Sequence, residues 1–330
     1  MKIKLLTLLV MLTAWVTGRA YQLETHYGTV PGSYNYWFGS PDDMTLAKPL
    51  VIFLHGKSLC GTHLDKVKRY GTINAIERGR ELDAFVIAPQ NPGGAWDPAK
   101  IMNIVEWAQH HYNIDPTRIY VLGMSLGGHG TLDFAAAYPD KVAAAMALGG
   151  GNAYKDVENL NKVPLWIVHG TADTAVSISG SDRLVQALKA DNPETPRLHY
   201  DRVRGMNHSK PARFFYLAQT YDWLFSHRLN DKDRPIRETF AVTDALMNNA
   251  YAGLSNGKTA ELTYAFHGAP TYKASKKSSS KKYSGSKKYK RSKSYRSYTA
   301  NMGSQRTSVK KAKAGKAQNT RKKKKVRVAL

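Results

Sequence analysis

The sequence predicts an α/β fold built on a doubly wound, mostly parallel β-sheet. Between residues 21 and 229, short apolar runs of strand length alternate with longer segments whose apolar residues recur at helical spacing. Several of the short runs are apolar throughout, as expected of strands that helices cover on both faces of a parallel sheet. Both observations favour one large domain over residues 21–229, and a chain of this length can bury a sizeable core.

The individual elements can be assigned in chain order. An aromatic run at residues 34–38 is predicted to form a strand or hairpin at the sheet edge, because turn-forming residues flank it. Six segments are predicted to be strands: residues 49–54, 83–89, 119–122, 142–148, 164–168 and 198–203. The segment at 198–203 should be the last strand along the chain. Five segments are predicted to be helices: residues 65–80, 98–111, 129–138, 181–190 and 212–227. Residues 239–254 suit an extra helix within a helical extension or linker at 230–268.

The first 20 residues are predicted to be a cleavable secretory signal peptide. A basic start at residues 1–4 precedes an apolar run at 5–16 and small residues that end at Ala20. The apolar run is shorter than the roughly 20 residues that cross a bilayer, although an uncleaved membrane anchor is the alternative. No later run approaches spanning length, so we expect a secreted or periplasmic protein whose mature chain has no transmembrane segment.

Cysteine and metal-ligand patterns exclude several classes of site. Cys60 is the only cysteine, so no intramolecular disulfide can form, and this side chain is expected to be a packing residue. No cluster of His, Cys or carboxylate residues has a spacing typical of metal ligands. The sequence therefore predicts neither a metal nor another cofactor.

The segment at residues 118–128 contains the most informative motif. Its strand-like run is followed by Gly123-Met124-Ser125-Leu126-Gly127, which has the Gly-x-Ser-x-Gly form of a nucleophile elbow. Such a turn holds a serine in a strained conformation between a strand and a helix, with its hydroxyl exposed. Gly123 and Gly127 are needed there because a Cβ at either position would collide with the neighbouring strand or helix. Ser125 is therefore the candidate nucleophile.

A serine hydroxyl needs a neighbouring base, usually a histidine that a carboxylate orients. The chain supplies both partners after Ser125, in the order serine, acid, histidine. Asp173 follows the predicted strand at residues 164–168, and His208 lies in a glycine-containing loop after the strand at residues 198–203. These three side chains are the candidate catalytic triad.

Four other side chains compete for the acid and base roles but fit less well. Asp182 lies within the pattern of the next helix, and His199 lies within a strand. His169 precedes the acid loop. His129 is close to the nucleophile in sequence, but it follows the elbow on the helix and is expected to be a packing or pocket-rim residue.

The tetrahedral intermediate of acyl transfer needs two donors where its oxyanion develops. One should be the backbone N–H of Leu126, directly after the candidate nucleophile. The other should come from the loop after the first buried strand, His55-Gly56-Lys57-Ser58, through the N–H of Lys57. His55 and Gly56 are expected to shape this loop.

Six motifs lie in order between residues 27 and 229. They are Leu54-His55-Gly56, the loop from Pro89 to Trp96, the segment Asp115–Gly128, Tyr138-Pro139-Asp140, the loop His169–Asp173, and His208-Ser209. In combination they resemble secreted bacterial α/β-hydrolases: the phospholipase/carboxylesterase-like enzymes, the "predicted peptidase" esterases, and the feruloyl and polyhydroxybutyrate esterases. The resemblance implies the α/β-hydrolase fold and a serine esterase with Ser125, Asp173 and His208 as its triad. Lys57–Cys60, His129 and Asp133 depart from the family's usual pattern.

The spacing of the candidate triad predicts an open site without a lid domain. Ser125 and Asp173 are 48 positions apart, His208 follows after another 35, and strands and helices fill most of both gaps. A short acyl group, or an acetyl or feruloyl group on a polysaccharide, fits such a site better than a long acyl chain. Three aromatic residues are candidates for the pocket rim, with simple packing as the alternative: Trp37, Trp96 and Tyr154.

The net charge of +24 comes from the C-terminal end of the chain. Residues 271–330 hold 22 of the 49 Lys and Arg and none of the 25 Asp and Glu. This composition predicts a disordered, low-complexity basic tail at residues 269–330. Its role is open between a solvated extension without a ligand, retention on anionic cell-surface or polysaccharide polymers, and a degenerate LysM-like peptidoglycan-binding module. Interleaved Lys, Arg and Tyr would also suit nucleic acid, but export argues against that partner.

Three functional hypotheses follow. The first is a secreted serine carboxylic-ester hydrolase that acts through an acyl-enzyme on short acyl, acetyl or feruloyl esters, including polysaccharide-linked ones. The second is a serine peptidase with the same triad, because acyl transfer to water does not distinguish an ester from an amide by motif. The third is an inactive surface-binding protein whose basic tail is the functional part.

Overall fold

The structure, a computed structural model, describes residues 21–151, 156–256 and 262–268. Nine strands form one sheet in these residues: β1 Gln22–His26, β2 Tyr36–Ser40, β3 Lys48–Leu54, β4 Phe85–Pro89, β5 Ile114–Met124, β6 Ala144–Leu148, β7 Leu165–Gly170, β8 Leu198–Val203 and β9 Thr263–His267. The α-helices are α1 Thr72–Glu77, α2 Pro98–His111, α3 Leu126–Ala137, α4 Val157–Leu160, α5 Ser179–Asp191, α6 Ala218–Phe225 and α7 Asp244–Asn248. Short 3₁₀ helices span Lys57–Leu59, Leu64–Arg69 and Lys210–Tyr216. The predicted signal peptide and basic tail lie outside the described residues.

The predicted α/β fold with a mostly parallel sheet is confirmed. The strand order is β8-β7-β6-β5-β3-β4-β2-β1-β9, and only β2 runs antiparallel to its two neighbours. Successive residues of β3 enter different cores: Val51 and Phe53 belong to one cluster, and Leu50 and Ile52 to the other. Because side chains of a strand alternate between the two faces of a sheet, this separation shows a core on each face.

Parallel pairing brings the carboxyl ends of several strands to one edge of the sheet. Leu54 of β3 pairs with Gly123 of β5, and Met124 pairs with Leu148 of β6. The adjacent strands β7 and β8 end at Gly170 and Val203 in the same direction. The loops after β3, β5, β7 and β8 therefore meet at this edge, and they carry the candidate functional residues.

Two predicted segments form strands, but their expected places were wrong. β2 lies inside the sheet between β4 and β1, whereas the aromatic run was expected at the edge. β8 is also followed by another strand, because β9 pairs in parallel with β1. β9 has only five residues and lies in a polar segment, so its sequence does not indicate a buried strand.

Two predicted helices are broken at identifiable residues. Gly71 has φ +102° and separates the 3₁₀ turn at Leu64–Arg69 from α1. A Cβ at Gly71 would lie 2.0 Å from the ring of Phe53, so this close approach requires glycine. The segment predicted as one helix at residues 212–227 likewise consists of a 3₁₀ turn and α6, because Leu217 between them is extended.

Residues 230–256 pack against the domain as a strap. Ile236 N–H donates to the carbonyl of Pro196, Arg237 N–H donates to Nε2 of His227, and Phe240 lies 4.8 Å from Trp166 between ring centroids. The extra helix expected at 239–254 is only the five residues of α7, which Thr243 caps by accepting from Leu246 N–H. Within the described residues, no helix is both long enough and apolar enough to cross a membrane.

Candidate active site

Ser125 lies in a strained turn between β5 and α3. Its φ of 59° and ψ of −120° are outside the regions that L-residues normally occupy. Its N–H donates to the Leu148 carbonyl at 2.8 Å, which ties the turn to the neighbouring strand β6. A Cβ at Gly127 would lie 1.8 Å from the Leu54 carbonyl oxygen, and one at Gly123 would lie 2.4 Å from that of Gly127. The turn therefore needs both glycines of the motif.

The structure brings together the three residues that were predicted to form a triad. Ser125 Oγ is 3.0 Å from Nε2 of His208, and His208 Nδ1 is 2.7 Å from Oδ2 of Asp173. The side chain of His208 is 26% exposed, whereas that of Asp173 is only 1% exposed. Ser125 and His208 are thus partly exposed to solvent, while the carboxylate of Asp173 is shielded.

Backbone groups hold the carboxylate of Asp173 in its ionised form. Oδ1 accepts from the N–H groups of Ala175 and Val176 at 2.9 and 2.8 Å. Burial by itself would raise the pKa of Asp173, but these two bonds and the contact with His208 outweigh it and lower the pKa. Asp173 therefore stays charged at neutral pH and can stabilise an imidazolium on His208.

The loops that carry the acid and the base are bonded directly to each other. Thr171 N–H donates to the Val203 carbonyl at 2.9 Å, and Ala172 N–H donates to the Met206 carbonyl at 3.1 Å. Gly205 N–H donates back to Oγ1 of Thr171 at 2.9 Å. These bonds fix the spacing between Asp173 and His208 independently of the serine turn.

His169 contacts the same carboxylate oxygen of Asp173 as the candidate base His208 does. It is fully buried, and its Nε2 lies 3.1 Å from the Val176 carbonyl and 3.3 Å from Oδ2 of Asp173. Because both neighbours are acceptors, Nε2 carries the hydrogen, and Nδ1 then accepts from the Ser181 hydroxyl at 2.7 Å. The sequence considered His169 only as a rival base; its spacing of four residues from Asp173 was the available signal for this contact.

The loop predicted to supply an oxyanion donor lies beside Ser125. A Cβ built on Gly56 would be 3.3 Å from that of Ser125, and Gly56 N–H donates to the Tyr70 hydroxyl at 2.9 Å. Lys57 begins a 3₁₀ turn directly after this glycine. Leu126 is the first residue of α3, so its N–H has no partner within the helix. The two expected donor residues therefore flank the serine.

His55 fixes the conformation of this loop as a neutral imidazole. Its Nε2 accepts from Asn91 N–H at 3.0 Å, so Nδ1 carries the hydrogen and donates to the Gly56 carbonyl at 2.9 Å. Burial lowers the pKa of His55 to about 4. The imidazole is thus uncharged at neutral pH, in keeping with its expected loop-shaping role.

Two of the aromatic residues considered for the pocket rim, Trp37 and Trp96, are buried instead. Trp96 is only 3% exposed and donates from Nε1 to the His55 carbonyl at 3.2 Å, so it packs beneath the loop rather than at a rim. Trp37 is also buried, and its Nε1 donates to the Leu64 carbonyl. His129 is half-buried, and its Nδ1 accepts from Gly151 N–H at 3.2 Å. Tyr154 lies outside the described residues.

One group of possible metal ligands lies outside this site. Glu24, His26 and His267 have donor atoms within 4.8 Å of one another. The sequence predicted no metal cluster because His267 is far from the other two residues along the chain. Pairing of β9 with β1 brings them together.

Comparisons with known proteins agree with the α/β fold. Residues 98–222 match the family described as phospholipase/carboxylesterase, and this range contains all three members of the candidate triad. Over this range the chain is similar to that family, and its fold is α/β-hydrolase-like. The predicted resemblance to phospholipase/carboxylesterase-like enzymes is thereby confirmed.

Several curated relatives of this α/β-hydrolase are esterases or depolymerases. They include poly(3-hydroxyalkanoate) depolymerase C of Paucimonas lemoignei, which is 28% identical over 145 residues, covering 38% of this chain and 34% of the relative. Acetylxylan esterase A of Aspergillus awamori is 26% identical over 161 residues, covering 44% and 51%. Feruloyl esterase B of Talaromyces funiculosus is 26% identical over 157 residues, covering 43% and 44%. The chain thus spans about a third to a half of the length of these relatives.

A solved structure shows the same fold. The crystal structure of a thermostable esterase superposes with a TM-score of 0.53 at 24% identity, and the match covers 63% of each chain. At this identity the similarity concerns the fold.

Proposed function

We propose that the protein is a secreted serine carboxylic-ester hydrolase that acts through an acyl-enzyme. The observation that carries the proposal is the continuous contact from Ser125 Oγ through His208 to Asp173, at 3.0 and 2.7 Å, on a serine held in a strained turn. An unfavourable backbone conformation of a residue persists only where the surrounding structure enforces it, and such strain is concentrated at functional sites.

In the proposed acylation step, Ser125 Oγ attacks the ester carbonyl carbon and His208 Nε2 takes the hydroxyl proton. The N–H groups of Leu126 and Lys57 donate to the oxyanion that develops on the carbonyl oxygen. The intermediate then collapses, and His208 gives its proton to the departing alcohol. Asp173 keeps Nδ1 protonated, so Nε2 is free to act as the base.

In the deacylation step, a water molecule replaces the alcohol. His208 takes a proton from this water as its oxygen attacks the acyl carbon, and the second tetrahedral intermediate is held by the same donors. Collapse returns the proton to Ser125 and releases the carboxylic acid. The 26% exposure of the His208 side chain supports direct access of water to this position.

The proposed substrates are short acyl, acetyl or feruloyl esters, including those attached to polysaccharides. In the described residues, the chain between Ser125 and Asp173 contains α3, β6, α4 and β7, and the chain from there to His208 contains α5 and β8. Neither stretch has the length of a lid domain that would enclose a long acyl chain. The names of the acetylxylan and feruloyl esterase relatives support the same substrate class.

The proposed catalysis can be tested with the purified protein and p-nitrophenyl acetate. We expect Ser125→Ala to lower kcat by at least about 10⁴-fold, because the nucleophile and its base act as a unit. Ser177→Ala, at an exposed serine directly after Val176, serves as the matched control and should keep full activity. An inactive wild-type protein that also resists a fluorophosphonate probe would contradict the proposal and favour the surface-binding hypothesis.

The substrate class requires a separate experiment. Rates on acetylated xylan, a feruloyl ester, a phospholipid and a peptide should be highest for the first two. Faster turnover of the peptide would instead favour a serine peptidase with the same triad. Export is tested by N-terminal sequencing of the protein recovered from outside the cytoplasm, which should begin at Tyr21.

A further inference from the structure

Three potential metal ligands converge on the edge of the sheet opposite β8. Glu24 and His26 are two residues apart on β1, so their side chains lie on the same face. His267 is the direct neighbour of His26 in the parallel pairing of β1 with β9. Oε2 of Glu24 lies 3.4 Å from Nε2 of His26 and 3.0 Å from Nε2 of His267. A carboxylate therefore lies between two imidazole nitrogens.

His26 is buried with one ring nitrogen left without a hydrogen bond. The residue is 3% exposed, and its Nε2 has no hydrogen-bond partner although it faces Glu24. Its Nδ1 lies 3.3 Å from Oγ1 of Thr29, a contact that can take the ring hydrogen and leave a lone pair on Nε2. Metal-bound histidines usually have such a second contact, which fixes the ring and its tautomer.

The spacing of the three donors fits a small divalent cation. Ligands about 2.1 Å from a tetrahedral zinc ion lie roughly 3.4 Å from each other, close to the distances observed around Glu24 Oε2. The donor atoms of all three side chains lie within 4.8 Å of one another, so a single ion can contact all of them.

We propose that Glu24, His26 and His267 bind a divalent transition-metal ion, with Zn²⁺ the best match to two imidazoles and one carboxylate. Water completes the coordination, and the Tyr112 hydroxyl, 3.5 Å from Glu24 Oε2, is the neighbouring polar group. Four strand spacings separate β1 from β5, which is roughly 19 Å across the sheet. The site is therefore structural: it fastens β9 to the domain and does not depend on the proposed esterase activity.

The proposal can be tested by binding of Zn²⁺ to the full-length protein after treatment with a chelator. We expect calorimetry to show one tight equivalent per chain and Tm to rise with added Zn²⁺. His267→Gln and Glu24→Gln should each weaken Zn²⁺ binding by more than 10–100-fold. That range is typical for the loss of a residue that only hydrogen-bonds to a metal ligand. His110→Gln, on an exposed histidine of α2, is the matched control and should bind as wild type.

A spectroscopic readout separates this site from adventitious binding. Co²⁺ in place of Zn²⁺ should give the visible absorption of a tetrahedral site in wild type and lose it in His267→Gln. The side chain of His267 is 53% exposed, so this variant is expected to fold, and an unchanged esterase rate checks that it does. Equal Zn²⁺ binding by wild type and His267→Gln, or a Tm that responds to pH but not to metal, would overturn the proposal in favour of a simple ion-pair network.

Discussion

Nε2 of His169 lies 3.3 Å from the same Asp173 oxygen that His208 contacts at 2.7 Å. One carboxylate oxygen is thus shared by two imidazoles, one fully buried and one partly exposed. Within the described residues His169 makes no hydrogen bond to the serine hydroxyl, so it acts on the proposed reaction through Asp173. We regard it as a positioning residue.

Replacing His169 by Gln is expected to lower kcat on a small ester by up to about tenfold. Loss of one polar contact to a charged group is worth roughly 1.5 kcal/mol, which corresponds to about a factor of ten in rate. Without this contact the Asp173 carboxylate is held less firmly against His208, so kcat should fall while KM stays unchanged. His199→Gln, at a histidine that contacts Asp201 instead, should leave both constants unchanged. A rise in KM together with the lower kcat would indicate a purely structural role.

Substituting Ala for Gly127 should abolish activity and strongly destabilise the protein. Its Cβ would lie 1.8 Å from the Leu54 carbonyl oxygen, so the elbow must move away from β3. Gly32→Ala provides the contrast, because Gly32 has φ +73° but no atom within 4 Å of the added Cβ. That variant should lose only about 1 kcal/mol from backbone strain and keep its rate. Chemical denaturation of both variants, compared with wild type, measures the difference; similar losses would contradict the steric explanation.

Stability should fall as the pH drops from about 6.5 towards 4. Burial lowers the pKa values of His55 and His227 to about 4, from 6.5 in an unfolded chain. The unfolded state therefore binds these protons first, so stability is full above pH 6.5 and is lost as pH falls towards the folded pKa. Each histidine contributes on the order of 3 kcal/mol to this loss.

The variant His227→Gln should remove the contribution of His227 to this loss of stability at low pH and leave that of His55. His227 accepts from Arg237 N–H and lies 2.9 Å from the Trp223 carbonyl, and a glutamine amide can offer both a donor and an acceptor without titrating. Urea unfolding at pH 7, 6 and 5 should show a shallower loss of stability for the variant than for wild type. Parallel curves for the two proteins would mean that His227 does not titrate as proposed.

Deleting residues 269–330 should leave hydrolysis of small esters unchanged. The deletion removes 22 Lys and Arg and no acidic residue, so binding to an anionic polymer should weaken and lose its dependence on salt. Sedimentation with acidic polysaccharide at several salt concentrations, for full-length and shortened chains, measures this. Loss of the esterase rate on deletion would contradict separate roles for the domain and the basic tail.

The candidate triad could be located from the sequence because its order and its strand context are local properties. Ser125 and Asp173 each follow an apolar run, His208 follows the strand β8, and parallel strands carry the residues at their ends to one edge. Long-range contacts have no such signature. The ring of Phe53 lies too close to Gly71 for any Cβ, and the predicted helix is broken at this glycine. Phe53 lies outside residues 65–80, so their spacing gives no sign of this contact.

The features missed by the sequence analysis share this dependence on distant partners. β9 is recognised as a strand only through its pairing with β1, and that pairing alone brings His267 to Glu24. The burial of Trp96 likewise follows from packing under His55, although its position in a Pro/Gly-rich loop suggested exposure.

The direct bonding between the acid and base loops has a practical consequence for redesign. The backbone N–H groups of Thr171 and Ala172 donate across to carbonyls of the base segment, and Gly205 N–H donates to the Thr171 hydroxyl. Asp173 and His208 therefore form one rigid block. The segment at residues 57–70 belongs to a different loop and approaches the serine from β3. Substitutions at positions 57–63 can therefore be used to change which acyl groups the proposed site accepts, without altering the contact between Asp173 and His208.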